Sequence, residues 1–312
     1  MPKVSVIIPT YKARETIAKT LHSIAAQSIA EDIEVIIADD ADGESYEDII
    51  GRFANLNIKF VERLTNGGCG LARNFGMCYA TANHVCFIDS DDQWANPLAI
   101  ELLYCAITSQ QADAVRSTFL SEVRGEKGIT IRKMEHTCTW VHGCMFRRQY
   151  LVDKDLWFSA KLRLNEDMLF NQLLMDGGAK IVEIPEITYC WRDNPKSVTH
   201  ESIYKNKAVF VEACEEYIAE CKKREMSGER ITTRVLQNLI VIYQYYNVVC
   251  DECEDKCDEF LALCKRYWKS CEPIVADVDD EWITKVYVSV MRGFDIIPTV
   301  GFMEFLSLIR AE

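Results

Sequence analysis

Apolar residues in the first hundred positions follow two rhythms by turns. Lys3–Ile8 alternates and then saturates with β-branched residues, as a buried strand does, and Pro9 ends it. Arg14–Ser28 changes to helical spacing, with Ile17, Leu21, Ile24 and Ser28 one turn apart. The strand rhythm returns at Ile33–Ala38, at Asn57–Val61 and at Val85–Ile88. Between these runs, Ser45–Ala54 places Ile49, Ile50 and Phe53 on one helical face, and a glycine-rich turn at Gly67–Gly70 opens onto a helix over Leu71–Ala80. After Pro97, Leu98, Leu102 and Ala106 mark another helix. Strands and helices in alternation predict an α/β fold, a mostly parallel sheet covered on both faces.

Beyond residue 110 the rhythm loosens. Ala114–Phe119, Ile129–Lys133 and Thr139–Phe146 read as strands, Asn165–Met175 as a helix, and Lys180–Ile184 and Ile187–Trp191 as extended segments. From Tyr204 the pattern is helical almost throughout, with Val209, Ala213 and Ile218 on one helix and Ile231–Val249 forming another. No low-complexity linker separates the regions, so a boundary near residue 203 rests on the change of pattern.

Three polar clusters fall at the carboxyl ends of predicted strands: Pro9-Thr10, Asp39-Asp40 and Asp89–Asp92. Open sheets bind ligands beyond those ends, and the convergence of the three is the argument for a site. In Val85–Trp94 a mostly apolar run leads straight into Asp89, Asp91 and Asp92. Carboxylates packed together repel one another. A hard cation such as Mg²⁺ or Mn²⁺, with phosphate or polyol oxygens, relieves that repulsion. The plainer reading is an acidic turn that caps the next helix.

Composition narrows the field without choosing within it. At 312 residues, 49% hydrophobic and 27% charged, the chain has the balance of a globular protein with ample length for a core. No apolar run approaches the roughly 20 residues that span a bilayer, so no transmembrane segment is expected. The start, M-P-K-V-S-V-I-I-P-T, lacks the apolar stretch and small-residue cleavage site of a signal peptide, which points to a cytoplasmic protein. Net charge is −13, and the acidity is shared between residues 1–200 and 201–312. That argues against a nucleic-acid or anionic-membrane surface, without excluding a nucleic-acid acceptor.

The turn N66-G-G-C-G-L-A-R-N74 combines glycines, a helix start and Arg73. Backbone N–H groups there can approach an anion closely, and Arg73 could contact phosphate or a nucleotide. It is neither the dinucleotide fingerprint nor a P-loop. Taken with V4-S-V-I-I-P-T-Y11, I36-I-A-D-D-A-D-G43, F87-I-D-S-D-D92 and N165-E-D167, it resembles the family-2 glycosyltransferases in order and spacing over roughly residues 1–200. The resemblance implies a GT-A fold, Rossmann-like with flanking helices, over 1–203, its nucleotide-binding half at 1–110 and acceptor side at 111–203. A helical C-terminal region at 204–312 would follow.

It also implies an inverting enzyme, dependent on Mn²⁺ or Mg²⁺, that moves a sugar from a UDP-sugar to an acceptor hydroxyl. Pro9, Thr10 and Tyr11 would line the nucleoside pocket, and Asp39 would accept the uracil N3–H. Asn66 and Arg73 would brace the nucleotide, with Asp89 and Ser90 on its ribose side. Asp91 and Asp92 would hold the metal. Asp167, beside Glu166, would be the general base that an attacking hydroxyl requires; the alternative is a polar first turn of a helix. Y189-C-W-R-D-N-P-K-S-V-T-H200 resembles the segment that closes over the diphosphate, bringing Arg192, Ser197 and, toward metal or phosphate, His200. W140-V-H-G-C-M-F-R-R148 resembles the stretch beside the acceptor pocket. One departure stands out: the family's D-D-G-S-x-D is here D39-D-A-D-G43.

The fourteen cysteines read as small buried hydrophobes rather than a disulfide framework. C250-D-E-C-E-D-K-C257 invites a zinc reading, but Cys250, Cys253, Cys257, Phe260, Cys264, Tyr267 and Cys271 recur at steps of three and four, as one helix stripe does. The C-terminal helices could serve acceptor binding, a homo-oligomer or support. Two other functions remain open on sequence: a sugar-nucleotidyltransferase, which lacks its usual loop here, and a non-catalytic sugar-nucleotide-binding or scaffolding subunit.

Overall fold

A computed structural model describes residues 1–125, 128–135, 139–194, 202–292 and 300–311. The chain divides into two compact units, Met1–Ser197 and Val198–Glu312.

In the first unit, β1 (Val4–Thr10) and β2 (Ile33–Asp39) are buried along their whole length. Their runs of Val and Ile make them strands, and each such side chain taken out of water contributes roughly 1.5–3 kcal/mol. With β3 (Asn57–Glu62) and β4 (His84–Phe87) they form a parallel floor in the order β3-β2-β1-β4. The connections carry α1 (Ile17–Ala25), α2 (Glu47–Ile50) and α3 (Cys69–Tyr79). Next come β5 (Gln93–Trp94), α4 (Ala99–Ser109), β6 (Ala114–Gly125), β7 (Gly128–Met134), β8 (Cys144–Arg147), α5 (Arg148–Asp153), α6 (Glu166–Asp176) and β9 (Ile181–Trp191). The sheet continues β4-β8-β6-β9-β5, with β7 paired to β6. This far half is mixed: β8 runs antiparallel to β4 and β6, whereas β6 and β9 are parallel.

Three expected elements differ in detail. The Ser45–Ala54 helix shrinks to α2 and a 3₁₀ turn over Gly51–Phe53. The two extended segments near residues 180–191 are one strand, β9, whose register slips where Ile184 and Ile187 pair with successive residues of β6. Pro185, which has no N–H to give a ladder, falls in that slip. The Thr139–Phe146 strand begins only at Cys144, because Gly143 takes φ 62°. A Cβ there would lie 2.5 Å from Ser117 Oγ, so both the bend and the tight packing need glycine.

The second unit contains α7 (Ile203–Lys223), α8 (Glu229–Glu252), α9 (Cys257–Val275), α10 (Asp280–Met291) and α11 (Phe302–Arg310). The helix α8 packs on α7, α9 and α10, and α11 packs on α9. Phe260, Cys264, Tyr267 and Cys271 form the buried stripe of α9. The stripe does not extend back to Cys250. The chain leaves helical geometry at Cys253 and makes a 3₁₀ turn over Glu254–Lys256, and Cys250 is joined to Cys257 by a disulfide. Seven residues of continuous α-helix would hold the two Cα atoms about 10 Å apart, whereas here they are 4.7 Å apart. The reading of Cys250 and Cys257 as members of one core-facing helix stripe is therefore corrected. No helix among the described residues is long and apolar enough to cross a membrane.

Candidate active site

Parallel register brings the strand ends together. Thr10 is the Cα partner of Asp39, and Ile7 that of Phe87, so Pro9-Thr10, Asp39-Asp40 and the start of Asp89–Asp92 share one edge of the floor. Thr10 is buried, with its hydroxyl on the Ile8 carbonyl at 3.2 Å, while Tyr11 is half exposed. Asp39 Oδ2 accepts the Asp42 N–H at 3.1 Å; Oδ1, also buried, has no hydrogen-bond partner among the described residues. Burial raises the Asp39 carboxyl to about 6, helped by the nearby Asp42 charge. In the loop where the sequence departs from the family pattern, Ala41 adopts φ 59°, a left-handed conformation that costs a non-glycine residue roughly 1–2 kcal/mol.

The glycine turn behaves differently from its expectation as an anion cradle. The Gly67 and Gly68 N–H groups both donate to the Asp40 carboxylate, the latter at 2.6 Å, and Arg63 pairs with the same group. Asn66 donates to the Asp40 carbonyl at 3.1 Å and accepts from Arg163 at 2.9 Å. The anion that this turn holds is a side chain of the protein itself.

Arg73, on the first turns of α3, is 3% exposed and lies at the centre of a carboxylate cluster. Nη2 donates to Asp89 Oδ1 at 2.7 Å and Nη1 to Glu166 Oε1 at 2.8 Å. Gly70 makes room for this, since a Cβ there would lie 2.9 Å from Glu166 Cγ. Arg73 thus grips two carboxylates rather than standing open to a nucleotide. Burial pushes Asp89 up, but Arg73 and His142 outweigh it and hold the carboxyl below the usual range. Burial raises Glu166, an effect that Arg73 only partly opposes.

Asp167 follows on the same helix. Asn165, with φ 61°, turns the chain into α6; asparagine tolerates this left-handed region better than most residues. Glu166 and Asp167 then occupy the first turn, where free N–H groups favour negative charge. Asp167 Oδ1 accepts the Met168 N–H at 2.8 Å. Burial, joined by the Glu166 charge, raises its carboxyl to about 8.

The remaining acids divide by partner. Asp91 is half-buried and accepts from Asn194 Nδ2 at 2.7 Å, with its carboxyl raised by burial and by Asp89. Asp92 is buried with both oxygens engaged, Oδ2 by the Tyr189 hydroxyl at 2.6 Å and Oδ1 by the Arg192 N–H at 2.7 Å. Ser90, between Asp89 and Asp91 in sequence, is half-buried. The Arg192 guanidinium lies 2.9 Å from Gln93 and 3.5 Å from Glu122. Ser197 and His200 lie outside the described residues. His142, which the resemblance sets beside the acceptor pocket, where it could stack on or bond a sugar, is 8% exposed, stacks on Tyr189 at 4.8 Å and places Nε2 3.7 Å from Asp89 Oδ2. Asp89, Asp92 and His142 each offer one ligand atom within 4.8 Å of the others. The bend at Gly143, illegible as a turn amid apolar residues, places His142 there.

Parallel strand ends that gather an open buried acceptor and a carboxylate cluster make a ligand-binding edge of an α/β sheet, and the fold is of the GT-A type, as its superposition on solved structures shows. A sequence model of the glycosyl transferase family 2 matches residues 5–160, and the chain belongs to that family. It is 26% identical over 224 residues to the uncharacterized glycosyltransferase EpsJ of Bacillus subtilis, covering 64% of this chain and 63% of that protein. It is likewise 26% identical over 229 residues to the poly(ribitol-phosphate) beta-N-acetylglucosaminyltransferase TarS of Staphylococcus aureus, covering 68% of this chain but 39% of TarS. The chain thus spans less than two thirds of either relative. Among solved structures, residues 1–349 of S. aureus TarS in complex with UDP-GlcNAc superpose with a TM-score of 0.65 at 19% identity, covering 95% and 94% of the two chains. A mannosyltransferase of Pyrobaculum calidifontis in complex with GDP-Man and Mn²⁺ gives a TM-score of 0.55 at 16% identity, covering 94% and 88%.

Proposed function

We propose that this chain is a metal-dependent, inverting glycosyltransferase that moves a sugar from a UDP-sugar to an acceptor hydroxyl, with UDP-GlcNAc the first donor to try. The observation that carries the reading is Asp167: a carboxylate at a helix start, raised by burial, beside a charge-balanced cluster at the strand ends. The donor class draws on the UDP-GlcNAc complex of TarS and on the open Oδ1 of Asp39, a buried acceptor suited to the N3–H of uracil.

Asp91 lies in the acidic run with Asp89 and Asp92 and offers carboxylate oxygens that suit a hard divalent cation, its carboxyl raised by burial and then by the Asp89 charge. Asp91 would hold the ion, with Asp89 kept ionised beside it by Arg73 and His142. A bound cation supplies Lewis-acid stabilisation to the departing diphosphate. Thr10 and Tyr11 position the nucleoside. Asp167 takes the proton from the acceptor hydroxyl as that oxygen attacks the anomeric carbon, and a single base of this kind implies inversion. Glu166, fixed by Arg73, keeps Asp167 ready to accept a proton by repelling a negative charge there. The acceptor suggested by the name of TarS is a hydroxyl of a polymer such as poly(ribitol-phosphate).

Calorimetric titration with UDP, with and without Mn²⁺ and with CDP and GDP as controls, tests the donor and metal assignments. Tighter binding of UDP in the presence of Mn²⁺ is expected. Binding of UDP that ignores the metal removes Asp91 from its role, and equal binding of all three nucleotides removes Asp39 from its own.

A further inference from the structure

Between β2 and α2, the Asp42 carboxylate is engaged wholly within the protein. Its Oδ2 accepts the Lys12 N–H and the Tyr46 hydroxyl, both at 2.6 Å, and its Oδ1 accepts the Glu44 N–H at 2.7 Å. The Tyr46 oxygen in turn accepts the Ala13 N–H at 3.0 Å, so the loop between β1 and α1 is tied to Asp42 twice. Tyr46 is 1% exposed, and burial, joined by the Asp42 carboxylate, pushes its hydroxyl up and keeps it a donor. Burial also acts to raise Asp42, but the bonds from Tyr46, Glu44 and Lys12 outweigh it and hold the carboxyl below its usual range.

Both loops are strained at this junction. Lys12 takes φ 52° and Ala41 φ 59°, in the left-handed region that side chains with a Cβ rarely occupy. Lys12 follows Tyr11, which lines the proposed nucleoside pocket, and its N–H is held by Asp42. Ala41 lies inside the turn from Asp39 to Asp42, which one bond closes. The Asp42 N–H donates to Asp39 Oδ2 at 3.1 Å and leaves Oδ1 buried and open. Asp39 therefore presents one free oxygen. Uracil offers one N–H between two carbonyls, and a single acceptor matches it. The corresponding edge of guanine carries two adjacent N–H donors, which fit a carboxylate with both oxygens free.

We propose that Asp42, braced by Tyr46, is a positioning residue that sets base selectivity: it fixes the loop so that Asp39 offers a single oxygen, which admits the one N–H of uracil and disfavours the paired donors of guanine. The inference rests on Asp39 being the uracil acceptor of the proposed reaction. Both Asp42 oxygens are engaged by the protein, so Asp42 acts through Asp39 and the turn at Lys12.

The test uses the full chain, titrated calorimetrically with UDP, CDP and GDP in the presence of Mn²⁺, in Asp42→Ala, Asp42→Asn, Tyr46→Phe and Asp39→Ala. UDP release from UDP-GlcNAc supplies donor KM and kcat. In Asp42→Ala, UDP affinity is expected to fall about 20-fold while GDP affinity changes less than about threefold, so the preference for UDP narrows. Donor KM should rise with the lost affinity, and kcat should fall less than about threefold, because the chemical step does not involve Asp39. Asp42→Asn keeps an oxygen for Lys12 and Tyr46 and recovers most of the affinity, whereas Tyr46→Phe lowers it about fivefold. Full affinity and an unchanged UDP-to-GDP ratio in Asp42→Ala, with Asp39→Ala unable to discriminate, overturns the inference and leaves the Asp39 assignment standing. An Asp39→Ala variant that still prefers UDP overturns both, as does a wild type without that preference. Equal loss of affinity for all three nucleotides in Asp42→Ala, without rescue by asparagine, makes Asp42 structural and also overturns the inference. Should Asp42→Ala not fold, an unchanged ratio in Tyr46→Phe is sufficient to overturn it.

Discussion

The two units bury different things. Among the described residues, every buried charged side chain belongs to the α/β unit, including Glu34, Asp39, Asp40, Arg73, Asp92, Arg116, Glu122 and Glu166. The helical unit buries Asn238, Gln244 and Asn247, together with tyrosines and cysteines, and no charge. Both kinds of core exclude water well, so burial alone does not explain the contrast. Taking a carboxylate out of water costs several kcal/mol unless it is paired, and the α/β unit meets that cost repeatedly: Glu34, at the amino end of β2, is held by Ser5, Thr81 and Ala82, whereas Asp39, Asp40 and Asp92 lie at the carboxyl strand ends. Where such a cost recurs around one crevice, chemistry is the economical explanation.

Asp167→Asn tests that explanation most severely. If the charge is kept for the reaction, transfer falls by about a thousandfold while UDP affinity stays within a few fold, because a base acts in the chemical step. A matching loss of both makes Asp167 structural. The same change should stabilise the protein, and the sign follows from the raised carboxyl. The folded state holds a proton on Asp167 up to about 8, whereas the unfolded chain releases it near 4. Wild-type stability from this group is therefore full at low pH and declines as pH rises through that window. The gain in melting temperature for Asp167→Asn is expected at pH 8.5 and to shrink toward pH 5.

Arg73→Met probes the same region by removing the cation instead. Asp89 and Glu166 would then face each other buried and uncompensated, which costs about 3–5 kcal/mol when one partner of a buried pair is deleted. Urea denaturation measures it, and a loss below about 1 kcal/mol would show that the cluster relaxes into water. Arg73→Lys should recover only part of the loss, since one ammonium cannot reproduce the two-pronged grip on Asp89 and Glu166.

The contrast between units also marks what the sequence could reveal. Strand and helix rhythms located the parallel floor, because its Val and Ile runs are buried from both sides. The acids at the strand ends were legible for the same reason, as abrupt polar stops to apolar runs. Their partners were not. That Arg73 would turn to Asp89 and Glu166, or the glycine turn to Asp40, depends on contacts between residues 16 to 93 positions apart. His142 was legible only as part of the stretch beside the acceptor pocket; that the chain bend at Gly143 accompanies its approach to Asp89 was not. In the helical unit, periodicity misled: steps of three and four run unbroken through Cys250–Cys271, yet the chain turns at Cys253. Spacing is blind to a covalent bond that makes the turn the better path.

That bond provides the mildest test of the comparison. If the helical unit depends on apolar packing and cross-linking rather than on tuned charge, replacing both Cys250 and Cys257 with serine should cost stability alone. Closing so short a loop constrains the unfolded chain by about 2–3 kcal/mol, and denaturant unfolding with and without reductant reads it: the wild type under reductant should approach the double variant, and the variant should ignore reductant. UDP affinity should stay within about twofold and the pH profile of turnover should not move, because no group that faces Asp167 is altered. A shifted profile would break the comparison, since it would make the helical unit a participant in the charge balance of the site rather than a core of a different kind.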